Sequence, residues 1–149
     1  MNLEQQIMAE MKDAMKSKNE SVLRSLRAIK AEIIKAKTEP GAGGEIDTAT
    51  EQKFLQKMVK QRKDSLDIFE KQNRSDLAIK EKEELEVIQR FLPEQMSEAE
   101  ITDAVKKIIA DTGASSAADM GKVMGSASKI LAGKADGKII SGIVKNLLA

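Results

Sequence analysis

Residues 116–138 read SAADMGKVMGSASKILAGKADGK. Apolar side chains recur in this stretch every three or four residues, which is the spacing of one face of an α-helix. They are Met120, Val123, Met124, Ala127, Ile130 and Leu131. Gly133 favours the end of that helix, and Asp136 is a residue type that caps the start of another. The stretch therefore predicts two short helices joined by a tight corner.

The same helical spacing extends through the rest of the chain, and no segment shows the alternation of a β-strand. The predicted apolar faces are Leu3, Ile7, Met8, Met11 and Met15 in a first helix; Val22, Leu23, Leu26, Ile29, Ile33 and Ile34 in a second over residues 20–37; Phe54, Leu55, Met58, Val59, Arg62, Leu66 and Phe69 in a third; Leu77, Leu85 and Ile88 in a fourth; Ile101, Val105, Ile108 and Ile109 in a fifth; and Ile139, Ile140, Ile143, Val144, Leu147 and Leu148 in the last. The fold class is therefore predicted to be all-α.

Capping residues and helix breakers predict where these helices begin and end. Three pairs have the spacing of a capping box: Thr48 with Glu51, Ser97 with Glu100, and Ser116 with Asp119. Ser75 or Asp76 is predicted to cap the fourth helix, Asn73 to end the third and Gly113 to end the fifth. One Pro and three Gly place a loop at residues 38–47.

Leu92-Pro93 predicts a break between two parts of the chain, because proline disfavours helical geometry in the residue before it. We expect a helical N-terminal bundle over residues 1–93 and a small three-helix unit over residues 94–149. A unit of about fifty residues lies near the lower size limit for independent folding, so we expect it either to depend on the N-terminal part or to be marginally stable alone.

Composition excludes several classes of function. The 149 residues contain no Cys and no His, which excludes disulfides, Cys/His zinc sites, thiol nucleophiles and His-based triads. No metal and no cofactor is expected. Aromatic residues are only 2% of the chain, so the core is expected to consist of aliphatic residues and Met. The first residues lack a basic and apolar leader, and no apolar run approaches the roughly 20 residues of a membrane span, which predicts a cytoplasmic protein without a membrane partner.

Positive charge is concentrated in the last thirty residues. Residues 120–149 contain five lysines and one acid, a net charge of +4, whereas the other 119 residues sum to −3. The five are Lys122, Lys129, Lys134, Lys138 and Lys145. Such a surface suits phosphate groups and is the candidate RNA-binding site; the alternative is a solvated face on two amphipathic helices. No aromatic residue lies among the lysines, so recognition of folded RNA by shape and phosphate is expected rather than base stacking.

The corner Gly133-Lys-Ala-Asp-Gly-Lys138 also has the composition of a phosphate-binding loop. Only three residues separate its glycines, however, and Ile139 follows the lysine where a Walker motif needs Ser or Thr. We therefore interpret Gly133 and Asp136 as helix caps. Gly121 and Gly125 each cost about 1 kcal/mol against Ala inside a helix, so we expect a close approach there, either of another helix, which is favoured, or of a partner's backbone.

Two charged stretches in the N-terminal part have structural explanations. Lys60-Gln-Arg-Lys63 and Arg74 form a basic cluster with interspersed acids, and ion pairs are the favoured interpretation. Residues 80–86 are expected to form a solvated helix face. The carboxylates of Glu81 and Glu84 are a weak candidate for acid–base chemistry, because no nucleophile or cofactor loop lies near them in sequence.

Several short motifs resemble the YqeY family, whose members consist largely of a helical N-terminal part and a tail similar to that of the B subunit of the tRNA-dependent amidotransferase. The tail motifs are Asp119-Met-Gly-Lys-Val-Met124, Gly133-Lys-Ala-Asp-Gly-Lys138 and Val144-Lys145; the upstream motifs are Lys60-Gln-Arg-Lys-Asp-Ser65, Arg74-Ser-Asp-Leu-Ala78, Glu81 with Glu84, and Leu92-Pro93. The positions that carry the resemblance are Asp119, Met120, Gly121, Lys122, Gly133, Asp136, Gly137, Arg62, Arg74, Leu92 and Pro93. One departure is Phe91, where the family commonly has Tyr.

The resemblance implies a link to glutamine-dependent amidation of aminoacyl-tRNA, because the tail of the larger subunit contacts tRNA. It also carries a family-level label of carbon–nitrogen ligase activity with glutamine as amido-N-donor. Stand-alone members lack the catalytic part of that subunit, so we expect a non-catalytic helical module associated with tRNA or a tRNA–enzyme complex. The alternative is an adaptor that binds a protein partner through a Met-bearing helical surface and makes no RNA contact; an amidotransferase acting alone is the least favoured.

Overall fold

The computed structural model describes residues 1–149, and all of its regular structure is helical. Seven α-helices follow one another: α1 Leu3–Lys16, α2 Glu20–Thr38, α3 Thr48–Lys71, α4 Ser75–Gln89, α5 Glu98–Thr112, α6 Met120–Ile130 and α7 Gly137–Leu148. A 3₁₀ turn, Ala117–Asp119, leads directly into α6. No strand is present, which confirms the all-α fold class.

The helices form two compact units, Met1–Leu92 and Pro93–Ala149. The N-terminal unit contains α1 to α4, and the C-terminal unit contains α5 to α7. Each unit has its own cluster of buried apolar side chains, and no buried residue belongs to both clusters. Each unit is therefore described by itself.

In the N-terminal unit, α2 packs against α1, α3 and α4, and α4 also packs against α3. The buried face of α2 repeats every three or four residues and consists of Leu23, Leu26, Ile29 and Ile33. Ile7 from α1, Leu55 from α3 and Ile88 from α4 are almost fully buried in the same cluster. Because burying one such side chain contributes roughly 1.5–3 kcal/mol, aliphatic packing around α2 is the main stabilising contribution in this unit.

In the C-terminal unit, α5, α6 and α7 pack against one another. Val105, Val123 and Val144, one from each helix, are fully buried in a single cluster. Helices of this length are marginal in water on their own, so each of the three depends on the other two for the burial that stabilises it.

Several predicted helix boundaries are formed by the expected groups. The Ser97 hydroxyl accepts a hydrogen bond from Glu100 N at 3.2 Å, and Glu100 Oε1 accepts one from Ser97 N at 3.3 Å, which completes the capping box of α5. Gly113 ends α5 in the left-handed conformation, with a φ of 70°. Asn73 has a φ of 55° just beyond α3, as expected for a residue that ends a helix.

The predicted cap of α3 is wrong by one residue. Asp47, not Thr48, is the N-cap: its Oδ1 accepts a hydrogen bond from Thr50 N at 2.8 Å, and Thr48 is the first residue of the helix. A carboxylate is the stronger acceptor for amides at the positive end of a helix, and it also gains from the helix dipole. Hydrogen bonds from the Thr50 side chain and then from its backbone N–H hold the pKa of Asp47 below its usual value.

The predicted caps of α4 are also wrong. The helix begins at Ser75 and has no side-chain cap. The Asp76 carboxylate instead accepts hydrogen bonds from the Arg74 guanidinium at 3.2 and 3.1 Å. A bidentate bond between two charged groups is stronger than a bond to a neutral amide. The Asp76 carboxylate therefore binds the Arg74 guanidinium and does not cap the helix.

The predicted apolar faces are wrong at their edges. Six of the residues assigned to them are exposed: Met8, Met15, Ile34, Ile130, Ile139 and Leu147. α1 packs mainly against α2, and its buried residues are only Leu3, Ile7 and Ala14. A helix with one main neighbour buries a strip that is narrower than its apolar face, which leaves the residues at the edge in contact with solvent.

Candidate nucleic-acid interface in the C-terminal unit

The five lysines of the tail are all exposed, and the fold arranges them as two pairs and a corner. Lys122 and Lys129 lie on α6, and Lys138 and Lys145 lie on α7. The members of each pair are seven positions apart, which is close to two helical turns, so both members lie on the same face of their helix. Lys134 lies in the corner that joins α6 to α7.

None of these lysines forms a salt bridge, although the same unit contains seven acids and seven lysines. All eight salt bridges lie within residues 1–92. Six of the seven acids precede residue 120, whereas five of the seven lysines follow it. Opposite charges are thus segregated along the unit, and α6, α7 and their corner carry a net positive charge.

Asp119 is the acid next to the first of these lysines, and it serves as a cap. Its Oδ2 accepts hydrogen bonds from Ser115 N at 2.9 Å and Ser116 N at 3.4 Å. These bonds, and to a smaller extent the charge of Lys122, hold the pKa of Asp119 below its usual value. The carboxylate is therefore ionised at neutral pH and fixes the turn that leads into α6, which confirms its predicted capping role.

The corner between α6 and α7 is closed by backbone and capping groups. Gly133 follows the end of α6 and has a left-handed backbone, with a φ of 74°. Asp136 caps α7 by accepting a hydrogen bond from Lys138 N at 2.8 Å. A carboxylate at the start of a helix opposes the binding of an anion to the same amides. The lysines, and not the glycine-containing turn, are therefore the candidate phosphate-binding groups.

The glycines within α6 and α7 face open space. A Cβ atom added at Gly121, Gly125 or Gly142 would meet nothing within 4 Å apart from the backbone of its own helix. The expectation that another helix packs closely on Gly121 and Gly125 is therefore wrong. The other alternative, the approach of a partner's backbone, stays a prediction.

These open positions lie between the paired lysines. Gly125 is three residues after Lys122 and four residues before Lys129, so the three lie on one face of α6. On α7 the spacing is reversed, with Gly142 four residues after Lys138 and three residues before Lys145, and the three again lie on one face. Each helix therefore presents a strip in which two lysines flank a position without a side chain.

The two arginines of the basic cluster in the N-terminal unit are bound by acids. Arg62 Nε lies 3.3 Å from Glu84 Oε2, and an Arg74 Nη atom lies 3.1 Å from Asp76 Oδ2. The hydrogen bonds between the last two residues raise the pKa of Arg74 and lower that of Asp76. These contacts confirm that ion pairing accounts for the two arginines.

Residues 80–86 form the predicted solvated face only in part: Lys80, Lys82 and Glu86 are exposed, whereas Glu84 is not. The Glu84 side chain is only 16% exposed, and its Oε1 accepts a hydrogen bond from Arg24 Nε at 3.1 Å. Arg62 approaches its other oxygen. Burial, and then the charge of Glu84, raise the pKa of Glu81. Glu84 thus connects α4 to α2 and α3, and this position favours a structural role over acid–base chemistry.

The sequence patterns did not predict two of the contacts that the structure shows. The first is the Glu84 network, because an acid in a run of charged residues is usually solvated. The second is a hydrogen bond from Gln95 Nε2 to Gly133 O at 2.7 Å, which joins residues 38 positions apart. Neither has a local sequence signal, since both depend on which helices become neighbours.

No group of three or more acids is placed so that it could hold a metal ion. None of the helices has the length and apolar character that would let it cross a membrane.

The fold and site define a class: all-α proteins made of a four-helix unit and a three-helix unit that bears a basic, glycine-containing surface. The chain belongs to the YqeY family, since the model of that family, described as Yqey-like protein, matches residues 4–148. The match covers nearly the whole chain and includes residues of both units. It confirms the family that the sequence motifs indicated.

The chain is also similar to several fungal proteins. A protein of Pyrenophora tritici-repentis named "Altered inheritance of mitochondria protein 41, mitochondrial" is 36% identical over 125 residues, which is 80% of this chain and 68% of that protein. A protein of the same name from Lachancea thermotolerans is 33% identical over 68% of this chain and 55% of its own length. An uncharacterized protein of Schizosaccharomyces pombe is 33% identical over 64% of this chain and 76% of its own length.

Proposed function

We propose that the chain is a non-catalytic helical module that binds RNA through its C-terminal unit and associates with tRNA or with tRNA-dependent amidotransferase-type complexes. The observation that carries the proposal is the set of five exposed lysines on α6, α7 and their corner, none of them in a salt bridge. Lysines without an intramolecular acid partner keep their full charge for phosphates, and each neutralised phosphate releases condensed counterions.

The chemistry of the surface favours recognition of the phosphate backbone. All three Phe residues of the chain lie in the N-terminal unit, and there is no Trp or Tyr, so the C-terminal unit offers no platform for base stacking. The open glycine positions between the lysines let a sugar–phosphate backbone approach the helix axis more closely than it could if these positions carried a side chain. Folded RNA read by shape and phosphate is the substrate class that fits these features.

The family-level label of carbon–nitrogen ligase activity is interpreted through this association with RNA. We propose that amidation chemistry, where it takes place, belongs to an enzyme with which this chain associates. The names of two relatives refer to mitochondria, whereas the sequence of this chain predicts the cytoplasm. Both compartments contain tRNA, so the proposed binding does not depend on which of them holds the protein.

Changing Lys122, Lys134 and Lys138 together to Glu is expected to weaken RNA binding by about tenfold or more, because three attractive contacts become repulsive. The measurement is fluorescence anisotropy with labelled bulk tRNA between about 50 mM and about 200 mM salt. For the unmodified protein, the logarithm of the binding constant should fall linearly with the logarithm of the salt concentration. The slope should become shallower in the variant.

The matched control changes three exposed lysines of the N-terminal unit, Lys12, Lys63 and Lys80, to Glu. None of them forms a salt bridge, and the change in net charge is identical. This variant should keep most of the affinity. Absence of binding by the unmodified protein at the lowest salt, or equal losses in the two variants, would refute the proposed RNA site.

The second candidate function is a protein-binding adaptor without RNA contact, favoured by an exposed pair of methionines on α1. Met8 and Met15 are seven residues apart, both more than half exposed, and lie on one face of the helix. Flexible Met side chains are common on surfaces that bind other helices. In this case the tRNA titration above would show no salt-dependent binding.

Gly125→Ala and Gly142→Ala are each expected to stabilise the C-terminal unit by about 0.5–1 kcal/mol and yet to weaken RNA binding. The stability should rise because alanine is the better helix former and the added methyl group meets no neighbour. The affinity should fall because the same methyl group keeps the RNA backbone away from the flanking lysines. Thermal unfolding and the anisotropy titration measure the two effects separately.

Ala110→Gly is the reverse change at an exposed position of α5, in the same unit. It should destabilise the unit by a similar amount and leave the RNA affinity unchanged. If the two glycine variants are more stable and bind RNA as well as the unmodified protein does, the open positions have no role in binding.

A further inference from the structure

We infer that Gln95 is a positioning residue that fixes the α6–α7 corner so that Lys134 is held ready for a phosphate; this inference rests on the proposed RNA site. Lys134 differs from the other four lysines of the site because it lies outside a helix. The backbones of Lys122 and Lys129, and of Lys138 and Lys145, are held by helical hydrogen bonds. The backbone of Lys134 requires a different support.

That support comes from the segment that opens the C-terminal unit. The Gln95 side-chain amide donates hydrogen bonds to Gly133 O at 2.7 Å and to Pro93 O at 2.9 Å. The next residue continues the contact, since Met96 N donates to Lys134 O at 2.9 Å. The carbonyls on both sides of the Lys134 Cα are therefore fixed by residues almost forty positions earlier in the chain.

Other contacts constrain the residues on both sides of Lys134, so the bonds from Gln95 and Met96 complete the support of its backbone. Gly133 is in the left-handed conformation, and Lys134 N donates to Leu131 O at 3.0 Å. Ala135 is buried in the cluster of the unit and holds the chain on the other side of the lysine. Met96 packs against the same cluster. The Gln95 segment thus supports a corner that is also held by the bond from Lys134 N to Leu131 O and by the buried Ala135.

Fixing the backbone below a flexible lysine matters for binding because less conformational entropy is lost when the ammonium group meets its phosphate. A positioning role of this kind makes a specific prediction about coupling. Removing the Gln95 amide should weaken binding only while the Lys134 side chain is present. A role in general stability would weaken binding whether or not that lysine remained.

The test is a double-mutant cycle of Gln95→Ala and Lys134→Ala, measured by anisotropy with labelled bulk tRNA across the salt series. Lys134→Ala should weaken binding and make the salt slope shallower by about 1. Gln95→Ala should also weaken binding, but the double variant should bind no more weakly than Lys134→Ala alone. The two changes should then deviate from additivity by at least about twofold in Kd.

The matched control is the cycle of Gln95→Ala with Lys138→Ala, because Lys138 is held by α7 and its effect should be additive. Gln95→Glu is the second variant at the first position: it keeps the length of the side chain and loses the donor, and it should reproduce the loss. Additive effects in the Lys134 cycle, with RNA binding intact, would overturn the inference and leave the proposed function standing.

An arm without RNA separates the two ideas further. Hydrogen exchange of the backbone amides at residues 133–135 should be faster in Gln95→Ala and Gln95→Glu than in the unmodified protein, while exchange in the middle of α7 stays the same. Unchanged exchange at the corner would overturn the inference whether or not RNA binds. If exchange is faster but the unmodified protein does not bind RNA, Gln95 fixes the corner without a role in RNA binding. That result would refute both the proposed function and the role of Lys134 in phosphate binding.

Discussion

Replacing Glu84 by alanine is expected to lower the free energy of unfolding of the N-terminal unit by about 2–4 kcal/mol. The carboxylate lies between two arginines of different helices: Arg24 Nε of α2 at 3.1 Å and Arg62 Nε of α3 at 3.3 Å. The side chains of Glu84 and Arg62 are only 16% and 17% exposed. Water would therefore not fully solvate the Arg62 charge once the carboxylate is removed. Urea unfolding followed by far-UV circular dichroism measures the loss.

The reason for so large an effect is the arginine that would remain. Arg62 Nε is buried and not oriented for a hydrogen bond, although it lies beside Glu84 Oε2. Its desolvated charge is therefore compensated mainly by the negative charge nearby. Removing one partner of such a pair leaves a mostly buried charge without compensation, which costs far more than the pair contributes when it is intact.

Glu83→Ala is the matched control, since Glu83 is the neighbouring acid on α4 and also contacts Arg24, at 3.2 Å. Its side chain is 41% exposed, and an ion pair in that setting contributes less than about 1 kcal/mol. Equal and small losses in the two variants would show that the network is an ordinary surface ion pair. A loss confined to Glu84 would establish it as the central charge of the unit.

This network marks the limit of what the sequence predicts about the fold. Helix ends with a strong local signal were predictable, because the groups that form them are a few residues apart, as in the Ser97 capping box and at Gly113. Burial at the edge of an apolar helix face was not predictable, because it depends on which other helices pack against that helix. Ile130, at the very end of α6, has helical spacing and is nevertheless 59% exposed.

The candidate site divides in the same way. That the lysines of the tail are exposed could be predicted, because an unpaired lysine is rarely buried. The absence of salt bridges within their unit could not, since it depends on where each side chain lies: α5 carries Lys106 and Lys107 together with four acids, and still no salt bridge forms there. The hydrogen bond from Gln95 to Gly133 belongs to the same category, because it joins two loops that only the packing of α5, α6 and α7 brings together.

Ile101→Ala is expected to unfold most of the C-terminal unit while the N-terminal unit stays folded. Ile101 is 2% exposed in the aliphatic cluster shared by α5, α6 and α7. Removing a buried isoleucine to alanine costs about 2–5 kcal/mol. The unit spans only Pro93–Ala149, and a core of this size supplies no more than about 3–5 kcal/mol in total. The loss is therefore comparable with the entire stability of the unit.

Hydrogen exchange measured by mass spectrometry distinguishes the two units in one experiment, because α1 to α4 and α5 to α7 lie in separate peptides. Protection should disappear from α5 to α7 and persist in α1 to α4. Ile139→Ala controls for the chemistry of the change, since Ile139 lies in the same unit but is 46% exposed and should lose less than about 0.5 kcal/mol. Protection lost from all seven helices together would mean that the two units unfold as one, and that the boundary at Leu92 and Pro93 divides contacts but not stability.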